Sequence, residues 1–182
     1  GRVDAMLASV LSVERHWSTA LPGFGSILAC RCFAHEEAGY YLEAESAGRE
    51  AVRQDPTDRW AAHGVAHVLE MTGRRLEGIA WVEGLQSRWD GSNNLKHHLW
   101  WHQAMYHLEL GDFPKVLSLY DAGFRDLASP LTGMVPDLYI DVQNAASMLF
   151  RLGRHGMDVG DRWTELADKA ESRIGDCQSA FT

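Results

Sequence analysis

Three stretches of the chain share one design, and this repetition narrows the available folds more than any other feature. "EEAGYYLEAESAGREAVRQDP" (36–56), "EMTGRRLEGIAWVEGLQSRWD" (70–90) and "LELGDFPKVLSLYDAGFRDLA" (108–128) each end one helical segment, pass a glycine and open another. Gly39 and Gly73 lie 34 residues apart, Gly73 and Gly111 lie 38 apart, and a looser copy around Gly153 follows in "FRLGRHGMDVGDRWTELADKA". Glycine just past a helix can take the left-handed conformation that satisfies the last carbonyls, so each one marks a helix–turn–helix joint. Few segments read as strands, because apolar residues recur at three and four rather than at two. The pattern predicts nine helices, over about 3–15, 24–38, 40–54, 58–72, 74–87, 94–110, 112–125, 136–152 and 160–173, with ends good to about three residues. Asp112 is placed to cap a helix with Pro114 in its first turn, Pro136 and Asp137 open another, and Asp161 a third.

A 34-residue helix–turn–helix period is the signature of tetratricopeptide repeats. The first copy fits best, with Gly39, Tyr41, Ala44, Ala51 and Pro56 at the spacing of that consensus. Ala44, Gly48 and Ala51 are small and let paired helices approach closely. Gly78 and Val116 stand where Ala44 does in the later copies, so the array is divergent. The expected fold class is all-α: a right-handed superhelical array of antiparallel helix pairs, a TPR-like α-solenoid, forming a single domain over residues 1–182. The chain opens without Met and reads straight into an amphipathic helix, as a piece of a longer protein would.

"EEAGYYLEAESAGREAVRQDPTDRWAAHGVAHVLEM", "HLWWHQAMYHLELGDFPKVLSLYD" and "SMLFRLGRHGMDVGDRW" occur in order and cover most of residues 20–165. In these stretches the chain resembles the tetratricopeptide repeat protein 38-like family. The resemblance implies further helical repeats on either side. It implies no enzyme activity.

Composition removes several classes of function. Seventeen basic against 25 acidic side chains give a net charge of −8, without basic stripes, so neither nucleic acid nor an anionic membrane is expected as a partner. Apolar runs are short and broken by charge, so no span of a bilayer is expected. Cys30, Cys32 and Cys177 are odd in number and suggest no disulfide framework, which fits a reducing cytoplasm. Cys30 and Cys32, two apart on a helix, should point to different faces. "GFGSIL" lacks the third glycine of a dinucleotide loop, and neither a phosphate loop nor G-x-S-x-G occurs.

The chemistry is concentrated in "HGVAHVLEM" (63–71) and "HLWWHQAMYHLELG" (98–111). Positions i, i+4 and i+7 share a helix face, so His63, His67 and Glu70 form one stripe, and His98 and His102 repeat the four-residue spacing. Counted from Gly73 and Gly111, His63, His67, Glu70, His98, Trp101 and Met105 fall at inner, concave positions of tetratricopeptide arrays, with His102 one step towards the seam between first helices. Three roles compete. The histidines fill a seam and bond to one another, to Glu70 or to backbone. Alternatively, His63, His67, Glu70, His98, Trp101 and Gln143, with Trp100, line a groove that takes a protein or peptide partner. Or His63, His67, Glu70, His98 and His102 hold zinc or iron, although H-E-x-x-H and the Glu-x-x-His pairs of di-iron bundles are absent.

The leading expectation is a non-enzymatic scaffold that binds a protein or peptide partner in the groove and needs no cofactor. A metal-dependent enzyme at the same place is its rival. Self-association through exposed repeat ends is expected if neighbouring repeats are missing. His35 and His155 read as solvated turn or helix-end residues, His107 as lying away from the His98 stripe, and Trp163 as a packing residue.

Overall fold

In the computed structural model the structure describes residues 2–91, 93–133, 139–171 and 174–175. The described residues form α-helices and no strand: α1 (Val3–Glu14), α2 (Phe24–Glu37), α3 (Tyr41–Gln54), α4 (Arg59–Met71), α5 (Arg75–Leu85), α6 (Leu95–Glu109), α7 (Phe113–Leu119), α8 (Pro130–Gly133), α9 (Tyr139–Arg154) and α10 (Arg162–Glu171). The expected helices therefore form, most of them within three residues of the expected ends. The expected start at Pro136 and Asp137 lies outside the described residues, as does Cys177. None of these helices is long and apolar enough to cross a membrane.

Local chemistry sets the joints. After α2, α4 and α6 the chain makes the same paired closure. Gly39 N–H donates to Glu36 O and Tyr40 N–H to His35 O; Gly73 repeats this with Glu70, and Arg74 with Leu69; Gly111 does so with Leu108, and Asp112 with His107. The three glycines have φ between 71° and 80°, a region that a Cβ disfavours. In the fourth copy the expected glycine is corrected. Gly153 lies inside α9, and Gly156, with φ 74°, makes the closure because the helix runs on to Arg154. Asp58 caps α4 by accepting from Ala61 N–H, and Asp112 caps α7 by accepting from Lys115 N–H. At α10 the contact is made by the Asp161 backbone carbonyl, which accepts from Thr164 N–H.

Three departures from the sequence reading stand out. The helix expected over 112–125 changes from α to π winding at Tyr120–Phe124, and the segment expected over 74–87 ends in a 3₁₀ turn, Gln86–Arg88. His35 is buried rather than solvated, its Nδ1 set 2.9 Å from Arg31 O.

The helices pack in neighbouring pairs: α2 with α3, α4 with α5, α6 with α7, and α9 with α10. In addition, α2 touches α4, α4 touches α6, and α6 touches α9. Two apolar clusters result. One gathers Leu28, Val52, Val65, Leu69, Val82, Leu99 and Tyr106; the other gathers Met105, Val116, Phe124, Met148, Leu149 and Leu166. Helix α6 supplies side chains to both and joins them. Close approach depends on missing Cβ atoms. A methyl at Gly48 would come within 2.5 Å of Val65 and 2.6 Å of the Cys32 thiol, and one at Gly78 would overlap the Tyr106 ring. Tyr106 Oη donates to Ala66 O at 2.6 Å and ties α6 to α4. Cys30 is exposed and Cys32 buried, on different faces, and burial pushes the Cys32 thiol up to about 12.

Candidate metal centre

Helices α2, α4, α6 and α9 converge on a knot of four imidazoles. His63 and His67 lie one turn apart on α4, and His98 and His102 one turn apart on α6, so each pair shares a face. Because α4 lies against α6, the two pairs meet. Ring centroids of His63 are 4.3 Å from His67, 4.8 Å from His98 and 5.1 Å from His102, and His67 is 4.6 Å from His102. Each imidazole offers one ring nitrogen to a common region, and the four atoms lie within 4.8 Å of one another. One pair, His63 Nε2 and His67 Nε2, is hydrogen-bonded at 2.8 Å.

Outer contacts orient the rings. His102 Nδ1–H donates to Glu70 Oε2 at 2.8 Å, and the other nitrogen, Nε2, is buried without a hydrogen-bond partner. His67 Nδ1 lies 3.5 Å from Oε2 of buried Glu36. His98 Nδ1 meets the Asn144 amide at 2.9 Å, and that amide suits either tautomer, with Nδ2 donating to a bare nitrogen or, turned over, Oδ1 accepting from Nδ1–H. Trp101 stacks on His98 with an 8° interplanar angle and donates Nε1–H to Asn144 O. His63 has no such orienting bond. Phe33 and Trp60, in contact with each other, pack against one side of it, and its Nδ1 is buried without a partner.

Burial governs the charge state. It holds His63 well below the usual histidine range, with the imidazoles of His102, His67 and His98 adding to the effect. Burial does the same to His102, helped by His67 and His98, and takes His98 down to about 4. These three rings are therefore neutral at neutral pH, the form in which imidazole binds metals. Burial also raises the Glu70 carboxyl.

The arrangement fits a metal ion. Four nitrogens around a tetrahedral ion at 2.0–2.1 Å stand about 3.4 Å apart. The separations here, 2.8 Å for the hydrogen-bonded pair and no more than 4.8 Å for any, bracket that value. An all-imidazole set suits zinc, iron, nickel or copper and not magnesium or calcium, which take oxygen. A carboxylate behind a ligating imidazole is the usual support of such sites. Glu70 gives that support to His102, and Glu36 stands in the same relation to His67, at a longer distance.

Of the residues singled out in the sequence, the structure brings His63, His67, His98 and His102 into the nitrogen cluster and sets Glu70 behind it. Trp101 lines a pocket of about 370 Å³ with His67, Glu70, Met71, His98 and His102. Gln143 is half-buried and not among the residues lining that pocket; the α9 residue that reaches the cluster is the next one, Asn144. Trp100 turns to packing against Trp89 and His97, and Met105 enters the second apolar cluster. His107 stands apart beside Asp112, and exposed His155 lies against Phe113.

Glu36, Phe33, Trp60 and Asn144 were not singled out. One signal for Glu36 exists: it stands three residues before Gly39, as Glu70 stands three before Gly73. His97, too, was passed over; it is buried, with Nδ1 3.2 Å from Asp141 Oδ2. No protein-family model matches the chain, and no solved structure matches it.

Proposed function

We propose that this chain is a divergent tetratricopeptide-like helical-repeat protein that binds one divalent first-row transition-metal ion through His63, His67, His98 and His102. The observation that carries the reading is the convergence of four imidazole nitrogens within 4.8 Å, one of them a buried nitrogen with no other partner. As plain packing the same knot is costly, since each buried polar atom left unpaired costs about 1–3 kcal/mol. An ion accepted by His102 Nε2 removes one such cost. The carboxylates of Glu36 and Glu70 lie behind the rings and balance the charge of a divalent cation.

The succession of α2, α4, α6 and α9 in contact, each paired with the helix beside it, supports a right-handed superhelical array with these four as first helices. Kinship with the tetratricopeptide repeat protein 38-like family is part of the proposal and rests on the quoted motifs. Free thiols at Cys30 and Cys32 suit a reducing, cytoplasmic setting.

Elemental analysis of protein purified without a histidine tag tests the reading. About one equivalent of zinc or iron is expected, lost in the His63→Ala/His102→Ala variant; less than about a tenth of an equivalent, with no uptake on titration, retires it. A second reading, a protein or peptide partner in the same groove, draws on Trp101 and on Met71, 61% exposed at the rim. Under that reading Trp101→Ala abolishes partner capture and leaves the metal content unchanged.

A further inference from the structure

The four imidazoles are not held alike, and the difference has a direction. His63 is 4% exposed and walled by two aromatic rings. His102 is buried and anchored by Glu70 at 2.8 Å, and His98 is anchored by Asn144 at 2.9 Å and stacked on Trp101. His67 has the weakest polar anchor outside the cluster among the three rings with one. Its side chain is 27% exposed, its outer nitrogen stands 3.5 Å from Glu36, beyond a good hydrogen bond, and it lines the pocket. His63 Nε2 and His67 Nε2 share a hydrogen bond at 2.8 Å, closer than the about 3.4 Å that separates two ligands of one tetrahedral ion, so binding an ion breaks that bond. One of them must move when metal enters. His63 is buried and lines no part of the pocket, whereas His67 is part-exposed and borders it, so the ring at the pocket is the one with room to move.

We infer, resting on the metal reading above, that His63, His98 and His102 hold the ion while His67 is an exchangeable fourth ligand, whose release opens a coordination position for water or a small monodentate anion entering from the pocket. Three fixed protein ligands and one open position distinguish reactive metal sites from structural ones, which are closed by four. The pocket provides the approach: Met71 and Trp101 form its apolar rim, and Glu70 supplies an acceptor for a proton of metal-bound water.

Cobalt(II) substitution tests this, with the visible ligand-field bands and equilibrium dialysis as readouts and azide as the probe anion. Wild-type protein is expected to take one cobalt(II). His67→Ala and His67→Gln should keep it with at most about a ten-fold loss of affinity, and their bands should move on adding azide, whereas His102→Ala and His98→Ala lose at least about a hundred-fold. Far-UV circular dichroism of each metal-free variant checks that it has folded, and the two substitutions at His67 guard against a defect peculiar to one. If both His67 variants lose cobalt(II) as severely as His102→Ala, or if azide leaves their bands unmoved, the exchangeable-ligand assignment is overturned while metal binding stands. Failure of wild-type protein to take cobalt(II) overturns the metal reading and this inference with it.

Discussion

Glu70 shows how one side chain can set the state of a site without entering it. Its carboxylate accepts from His102 Nδ1–H, which fixes the tautomer and leaves Nε2 with a free lone pair, the one the proposed ion would take. Glu70→Gln keeps the shape and weakens the acceptor, so metal affinity should fall about 10–100-fold in a competition titration with little change in helix content. An unchanged affinity would remove Glu70 from the support of the site. The buried imidazoles also make a prediction for the metal-free protein, measured in chelator. His98 ionises near its ordinary 6.5 when unfolded and near 4 when folded, so below neutrality the unfolded chain binds more protons. Stability is therefore whole above about pH 6.5 and declines as the pH falls towards 4, by about 3 kcal/mol for His98 alone, with His63 and His102 acting in the same direction. Glu70, its carboxyl raised by burial, opposes this trend at the acid end. Urea midpoints at about pH 7 and about pH 5 read the slope, and His98→Asn should lessen it by the share of that ring; a flat wild-type profile contradicts the burial argument.

At the scale of the element, what the sequence revealed followed the reach of the interactions involved. The joints at Gly39, Gly73 and Gly111 were legible because a helix end is closed by residues within five positions of it. The His63/His67 and His98/His102 stripes were legible for the same reason, since four residues make a turn. Which residues of α2 and α9 complete the centre was not legible, because Phe33 and Asn144 arrive from helices tens of residues away, and a one-position error on α9 separates Gln143 from Asn144. The fourth joint was misplaced because Gly153 and Gly156 both suit a helix end; α9 runs past the first to Arg154 and closes at the second. The π turn at Tyr120–Phe124 has no local marker in the sequence. Helix pairing itself yields a sharp test in α5. Gly78→Ala places a methyl in the Tyr106 ring and should destabilise by about 1–3 kcal/mol, whereas Gly84→Ala, with nothing within 4 Å, should stabilise by about 0.5–1 kcal/mol. Equal shifts in the denaturant midpoints of the two variants would show that α5 does not lie on α6 as described.

At the scale of the molecule, the centre lies where the chain most needs a tie. The two apolar clusters are joined chiefly through α6, whose His98 and His102 face the centre while Leu99 and Tyr106 enter one cluster and Met105 and Leu108 the other. An ion held by α4 and α6 as proposed, with α2 and α9 supplying the outer contacts through Glu36 and Asn144, would connect helices from both clusters. The unfolded chain offers no such preformed site, so metal binding adds to folding stability by mass action, about 2.7 kcal/mol at a free metal concentration one hundred times the Kd. For a chain of 182 residues each kcal/mol moves the midpoint of thermal unfolding by about 2–4 °C, so metal should raise it by about 5–10 °C. Scanning calorimetry in chelator and then in excess zinc reads this directly. If the two clusters unfold separately without metal, two transitions in chelator should merge into one when zinc is added, because a ligand shared by both makes them cooperative. His63→Ala/His102→Ala should show the chelator profile in either buffer. A wild-type midpoint that ignores zinc would mean that the four helices meet at the imidazoles for packing alone.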